Sequence, residues 1–303
     1  MRTAYLGTSE FAAAVLRRLA ESPHRPVLVV TPPDRPRGRG RKLASPPAAE
    51  AARELELPLH QTADVNAPEP VEAIRAAVPE AIAVCAFGQL IKEPLLSEYT
   101  MLNVHPSLVP RWRGAAPIER ALMAGDPVTG MTIMRVTEGL DSGPVAVVEE
   151  MEIAPDDDHA SLSAKLAKLG GELLVRALDQ LEAGRLTFSE QDDSRATYAE
   201  KISAEERHLR PSRPAAELER TVRALTPHIG AHLQLDGGDW LRVCEARVVS
   251  EGPPPGAIEV SGDRLVLGSA EGGLRLDVVQ PAGGKPMKAA DFLRGHDAPS
   301  RAE

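Results

Sequence analysis

Apolar residues follow two rhythms along the first half of this chain. Residues 3–7, 27–31 and 81–87 form short, nearly continuous apolar runs, the pattern of strands buried on both faces of a parallel sheet. Between them, apolar positions recur three and four apart. Phe11, Val15, Leu16 and Leu19 mark a helix opened by Gly7-Thr8-Ser9, and helices are also expected over 46–57 and 69–77. A short strand fits 58–61. Strands alternating with helices predict an α/β fold with a Rossmann-like, mostly parallel sheet. The first strand–helix turn lacks Gly-x-Gly-x-x-Gly, so nothing there argues for a dinucleotide phosphate site.

Further on, a helix around 115–123, a turn at Gly125-Asp126-Pro127 and a strand around 131–136 precede strand-like alternation over 144–153. Leu162, Leu166 and Leu169 then open a helix that runs to about residue 181 and ends at Gly184. The texture changes after residue 187. Residues 188–206 are polar and aperiodic and read as a linker. A helix is expected over 214–225, with Leu218, Val222 and Leu225 on one face. Five short strands come next, over 231–235, 240–249, 256–260, 264–267 and 274–279, mostly divided by Gly or Pro. That spacing predicts a small β-barrel of the OB type, with a closing helix over 289–293. The expected domains are thus 1–187, catalytic, and 207–303, OB-like.

Candidate chemistry concentrates in one stretch. Residues 101–105 read as a strand delivering Asn103 and His105 two positions apart, hence to one face. Pro106 and Pro110 stop the strand and stiffen the segment between them. Ligands of open parallel sheets bind beyond the carboxyl ends of strands. Thirty-six residues past His105, Asp141 sits in the turn-like Gly139-Leu140-Asp141-Ser142-Gly143-Pro144. The intervening helix and strand are what the chain needs to return it to the same sheet end. Amide, imidazole and carboxylate suggest acyl transfer without a covalent enzyme intermediate: Asn103 donating to an oxyanion, His105 stabilising it or moving a proton, Asp141 holding the imidazolium. A strand-end His and Asn that only satisfy backbone groups is the plainer alternative.

Length and composition bound these readings. The 303 residues suffice for two domains, and 43% hydrophobic content supports packed cores. Aromatics are only 3%, so those cores rest on Ala, Leu and Val. No apolar run reaches the ~18 residues of a membrane span, and no secretory pattern opens the chain. Cys85 and Cys244 stand in separate apolar runs and read as buried free thiols in a reducing cytosol. The consecutive acids Asp156-Asp157-Asp158 before His159 would diverge around any ion and suit a helix N-terminus, so no metal is expected. The net charge of −9 argues against nucleic acid on average. The exception is local. Residues 32–42, Pro-Pro-Asp-Arg-Pro-Arg-Gly-Arg-Gly-Arg-Lys, place Arg35, Arg37, Arg39, Arg41 and Lys42 in a loop beyond a parallel strand, where guanidinium groups can grip phosphates. Composition alone also fits a solvated loop.

Asn103-Val104-His105-Pro106-Ser107-Leu108-Val109-Pro110, followed by Gly139-Leu140-Asp141-Ser142-Gly143, resembles the signature of the folate-dependent formyltransferases. Arg111-Trp112-Arg113-Gly114-Ala115-Ala116-Pro117-Ile118 resembles the members acting on methionyl-tRNA rather than on glycinamide ribonucleotide. Thr197-Tyr198-Ala199-Glu200-Lys201-Ile202 and Gln280-Pro281-Ala282-Gly283-Gly284-Lys285-Pro286-Met287 resemble the family's bridge and C-terminal motif. Val109 replaces the usual Leu, and Thr226-Pro227-His228-Ile229-Gly230 lacks an aromatic expected after its proline. The second domain is nearly neutral, where a tRNA-binding barrel is often basic.

The resemblance implies formyl transfer from 10-formyltetrahydrofolate to the amino group of methionine on initiator tRNA, with Asn103, His105 and Asp141 catalytic. It places folate against Phe87, Gly88, Gln89, Leu90 and Ile91 and against Ser107, Leu108, Val109 and Pro110. It assigns the basic loop to the tRNA acceptor end. The enzyme is expected to be cytoplasmic and monomeric, with no metal and no membrane partner. Ser107 is no triad nucleophile, because Gly-x-Ser-x-Gly is missing and the amine itself attacks. A formyltransferase for a small amine such as an amino sugar nucleotide would use the same trio without needing the basic loop. In a hydrolase, water would replace the amine. A non-enzymatic RNA-binding protein would have no use for the trio.

Overall fold

The computed structural model describes residues 1–37 and 42–303, the side chains of 37 and 42 excepted. In chain order its elements are β1 (Thr3–Gly7), α1 (Glu10–Ala20), β2 (Pro26–Thr31), β3 (Arg35–Arg37), β4 (Lys42–Ala44), α2 (Pro47–Glu54), β5 (Leu59–Gln61), α3 (Pro68–Ala77), β6 (Ala81–Cys85), α4 (Leu95–Glu98), β7 (Thr100–His105), β8 (Arg113–Gly114), α5 (Pro117–Ala124), β9 (Val128–Arg135), β10 (Val145–Glu152) and α6 (His159–Glu182). Then come β11 (Tyr198–Ala199), α7 (Ala215–Leu225), β12 (Ala231–Gln234), β13 (Trp240–Val249), β14 (Ile258–Ser261), β15 (Arg264–Gly268), β16 (Gly273–Pro281), β17 (Met287–Lys288) and α8 (Ala289–Gly295). Two compact units form. One holds Met1–Gly114, Val128–Glu152 and Ser163–Tyr198; the other holds Ala115–Pro127, Ile153–Leu162 and Ala199–Glu303.

The first unit is built on a seven-stranded sheet ordered β10-β9-β7-β6-β1-β2-β5. Strands β5, β2, β1, β6 and β7 run parallel. The chain winds outward from β1 through β2 and β5, then returns to β6 on the other side, which makes the β1–β6 crevice a topological switch point. Every residue of β1 and β6 is buried. Ala4, Leu6, Leu28, Val30, Ile82 and Val84 form one core face with Val71 and Ile74 of α3. The Ser9 side chain caps α1 by accepting from the Ala12 N–H. In α6, a Cβ at Gly170 would stand 2.9 Å from Val104 Cγ1 and one at Gly171 2.8 Å from Arg18 Cβ, so this glycine pair lets the helix lie close to β7 and α1.

Two expectations need correction. The strand expected at 131–136 begins three residues earlier and runs antiparallel to β7, pairing His105 with Thr132 and Asn103 with Met134. It therefore leads away from the end of β7, and the loop 136–144 has to fold back to bring Asp141 there. The basic segment is also not wholly loop. Its flanks β3 and β4 pair as an antiparallel ribbon, Arg35 opposite Ala44 and Arg37 opposite Lys42.

In the second unit β12, β13, β16, β15 and β14 form an antiparallel sheet, joined by β17 on β16. All five expected strands are present. Closure comes from a tail that sequence patterning missed. Ile258 N–H donates to Ser300 O at 2.9 Å and Ala302 N–H to Gly256 O at 2.8 Å, while Glu303 N–H donates to Gln234 O at 3.0 Å. The tail thus bridges the ends of β12 and β14, the two outer strands of the sheet. Residues 300–303 are too short and polar for periodicity to mark them. Cys85 is buried, and burial pushes its thiol up to about 12, so it is inert packing. Cys244 is half-buried rather than buried.

Candidate active site

Strand β7 ends by projecting Asn103 and His105 from the sheet, as the two-residue spacing predicts. His105 is 4% exposed. Its Nε2 lies 3.0 Å from the Trp112 carbonyl oxygen. A carbonyl only accepts, so Nε2 must carry the hydrogen. In the neutral ring Nδ1 is then unprotonated, and it faces Asp141 Oδ2 at 3.6 Å. Nδ1 is therefore the position open to proton traffic, with a carboxylate ready to hold the cation that results.

Asp141 is fixed at both oxygens. Oδ1 accepts from Asn103 Nδ2 at 3.1 Å, and Oδ2 accepts from the Gly114 N–H at 2.9 Å. The carboxylate thus turns the donor edge of Asn103 toward the site and leaves its second amide hydrogen for an oxygen atom of a substrate. Two backbone strains frame the cluster: Asp141 at φ 46° and Trp112 at φ 61°. The left-handed region costs a bulky L-residue roughly 1–3 kcal/mol, an expense that recurs at functional sites. At Trp112 the unusual φ accompanies a carbonyl that faces His105.

The loop bearing Asp141 is closed by small residues. A Cβ on Gly143 would stand 1.9 Å from the Arg135 carbonyl oxygen, so only glycine fits. Arg135 N–H donates to Pro144 O at 3.0 Å across the same closure. From the other side comes a residue that sequence reading placed in a linker. Gln191 Nε2 donates to the carbonyl oxygens of Asp141 (2.9 Å) and Gly143 (2.7 Å). Its Oε1 accepts from Nε and Nη2 of buried Arg113, at 3.0 and 2.8 Å. Nothing in the polar, aperiodic sequence of 188–206 announces this.

The expected folate residues divide. Phe87 and Ile91 point into the core, and Gln89 is committed, its Oε1 to Val65 N–H at 2.8 Å and its Nε2 to Thr62 O at 3.0 Å. Gly88 and Leu90 are exposed. This turn leaves β6 at the switch point, and Thr8 Oγ1 donates to Phe87 O at 2.7 Å across the crevice. What it offers a ligand is backbone and Leu90. Ser107 is fully buried and donates to the Arg111 carbonyl at 2.7 Å, so it is structural, in line with the rejected triad. Leu108, Val109 and Pro110 are half-buried, and Leu108 packs on Gly130 of β9.

Arg35 is exposed at the start of the basic ribbon. Arg37 and Lys42 are placed by backbone only, and Arg39 and Arg41 lie outside the described residues. Of the acids before α6, Asp158 caps it, its Oδ1 accepting from Ser161 N–H at 2.8 Å, while Asp157 closes the preceding turn, its Oδ2 accepting from Ala154 N–H at 2.8 Å. His159 instead joins Glu119 and His228, with Glu119 Oε1 3.6 and 2.9 Å from the two Nε2 atoms. Burial pulls the His159 imidazole down to about 4.

A family model described as formyl transferase matches residues 1–178, and one described as formyl transferase, C-terminal domain, matches residues 201–297. A methionyl-tRNA formyltransferase of Methylococcus capsulatus is 44% identical over 300 residues, covering 98% of this chain and 97% of that one. Another, from Halorhodospira halophila, is 43% identical over 299 residues, covering 97% and 96%. Among solved structures, HypX from Aquifex aeolicus in complex with tetrahydrofolic acid matches with a TM-score of 0.67 at 19% identity, over 98% of this chain and 48% of that one. This chain therefore spans about half of HypX. A sugar 3N-formyl transferase crystallised with dTDP and 5-N-formyl-THF matches with a TM-score of 0.67 at 13% identity, over 94% and 99%. At such identities the two structures speak to the fold alone. The paired domain matches and the near-full-length relatives agree: this chain belongs to the formyl transferase family.

Proposed function

We propose that this chain transfers the formyl group of 10-formyltetrahydrofolate to the α-amine of methionine on initiator tRNA, for translation initiation. One observation carries the reading: Asn103, His105 and Asp141 meet at the end of β7, in a chain whose full-length relatives are methionyl-tRNA formyltransferases. The neutral amine attacks the formyl carbon. The second amide hydrogen of Asn103 meets the oxyanion as it forms, and His105 Nδ1 takes the proton the amine sheds. Asp141 then stabilises the imidazolium, which returns that proton to the departing folate nitrogen. Nε2–H stays on the Trp112 carbonyl throughout, so the ring does not turn between the two transfers. Oxyanion donors contribute roughly 10²–10³ in rate and acid–base groups typically about 10²–10⁴, which together suit an uncharged amine nucleophile.

Folate lies against the backbone of 86–90 and Leu90 at the switch point, walled by Leu108, Val109 and Pro110. The catalytic domain is 1–187, with 188–206 leading to an OB-like tRNA-binding domain, 207–303. The basic ribbon and its arginines meet the acceptor end. The enzyme works as a cytoplasmic monomer; among the described residues no helix is long and apolar enough to cross a membrane. The test is formylation by purified protein of charged initiator tRNA, beside an amino sugar nucleotide and water as acceptors. Turnover of the sugar nucleotide with none of the tRNA would overturn the substrate and leave the chemistry standing.

A further inference from the structure

We propose that Gln191 is a positioning residue for the transfer, clamping the Asp141 loop from within the segment that connects the domains. Its orientation is not free. Arg113 can only donate, so the side-chain oxygen of Gln191 must face it, and the amide nitrogen must face the two carbonyls of Asp141 and Gly143. Arg113 is 3% exposed and is itself held by Asp193 Oδ1 at 2.6 Å. The next residue, Gly114, donates its N–H to the Asp141 carboxylate. Consecutive residues of β8 therefore hold Asp141 at both ends, Gly114 directly at the side chain and Arg113 through Gln191 at the backbone. Without the clamp, the left-handed φ of 46° at Asp141 would be free to relax toward the ordinary regions. The carboxylate would then leave His105. Displacing a catalytic group by about 1 Å can cost on the order of 10² in rate.

The inference rests on the reaction proposed above, and its test separates the two. Gln191→Met removes both polar ends at similar volume. Gln191→Glu keeps the acceptor for Arg113 but sets a second oxygen against two carbonyl oxygens. Each should lower kcat for formylation by about 10², with KM for folate and for methionyl-tRNA within about threefold. In an Asp141→Asn background the same changes should cost less than about threefold, because a residue acting through Asp141 has nothing left to position. Hydrogen–deuterium exchange over 137–144 should quicken in both variants, whatever the reaction is. Unchanged kcat, or an equal loss in both backgrounds, overturns the positioning role. An inert wild type would sink the reaction, and the exchange measurement alone would then decide the clamp: unchanged protection of the loop refutes it.

Discussion

Asp141→Asn probes the proposed mechanism with little damage to the fold. Asparagine tolerates the left-handed backbone that Asp141 adopts, and its oxygen can still accept from the Gly114 N–H. What disappears is one negative charge 3.6 Å from His105 Nδ1. At an effective dielectric of ~20, that separation is worth about 4.6 kcal/mol of attraction for the imidazolium, a ceiling of roughly 10³ in rate. A second loss adds to it. Asn103 now faces an amide nitrogen and must turn its own amide over to stay bonded, taking its donor away from the oxyanion. The expected loss in kcat is therefore about 10²–10⁴. KM should hardly move, since both carboxylate oxygens are engaged inside the protein. Single-turnover formylation of methionyl-tRNA with saturating 10-formyltetrahydrofolate measures the step without product release. A rate within threefold of wild type would remove the Asp141 charge from the mechanism.

Changing Arg37, Arg39 and Arg41 together to Ala should weaken tRNA binding and flatten the slope of log K against log salt by about 2–3, at roughly 0.7–0.9 for each phosphate no longer neutralised. An unchanged slope between 50 and 200 mM salt would return the segment to solvated surface. Gly88→Leu places a side chain in open space before the crevice, on a backbone at φ 78° that it strains, and should raise KM for folate before it affects tRNA; the reverse order would move the folate site elsewhere. Gly143→Ala collides with the Arg135 backbone and should lower kcat by about 10², whereas Gly139→Ala meets only the movable Ser142 hydroxyl and should cost less than about threefold. His159, neutral in the fold down to about 4, ought to make the protein acid-sensitive earlier than carboxylates do. Its unfolded form takes up a proton below about 6.5 while the native form does not, so stability is full above that pH and drains as pH falls. The deficit reaches about 2 kcal/mol by pH 5. Melting curves of wild type and His159→Asn should converge between pH 7.5 and 5, and parallel curves would refute the assignment.

Sequence alone disclosed the sheet well, because its strands obey a rule that needs no partner to be known. Residues 3–7 are apolar but for Thr3, and residues 81–85 throughout, since both faces of β1 and β6 are covered. The direction of β9 was not legible in the same way. A mostly buried strand of eight residues fits either direction, and only its pairing with β7 decides. The closure of the second domain was hidden for a related reason. Ser300, Ala302 and Glu303 contribute backbone groups alone, and backbone groups leave no trace in composition.

The site divides along the same line. Asn103 and His105 are readable because alternation on one strand fixes their common face. Asp141 is readable as an acid among glycines and serine, but the need for Gly143 comes from the Arg135 carbonyl, 1.9 Å from where a Cβ would stand, which no local pattern foretells. Gln191 carries no signal at all. Its function depends on the polarity of its amide, set by a buried guanidinium on one side and two carbonyls on the other. A long-range hydrogen-bonded clamp of this kind can be built from any flexible polar segment that passes within reach. The spacing of its members in sequence is arbitrary, and their spacing in space is fixed by hydrogen-bond geometry. Candidate catalytic groups on strands can therefore be found by periodicity, while the residues that hold them must be found by asking where each buried donor and acceptor ends.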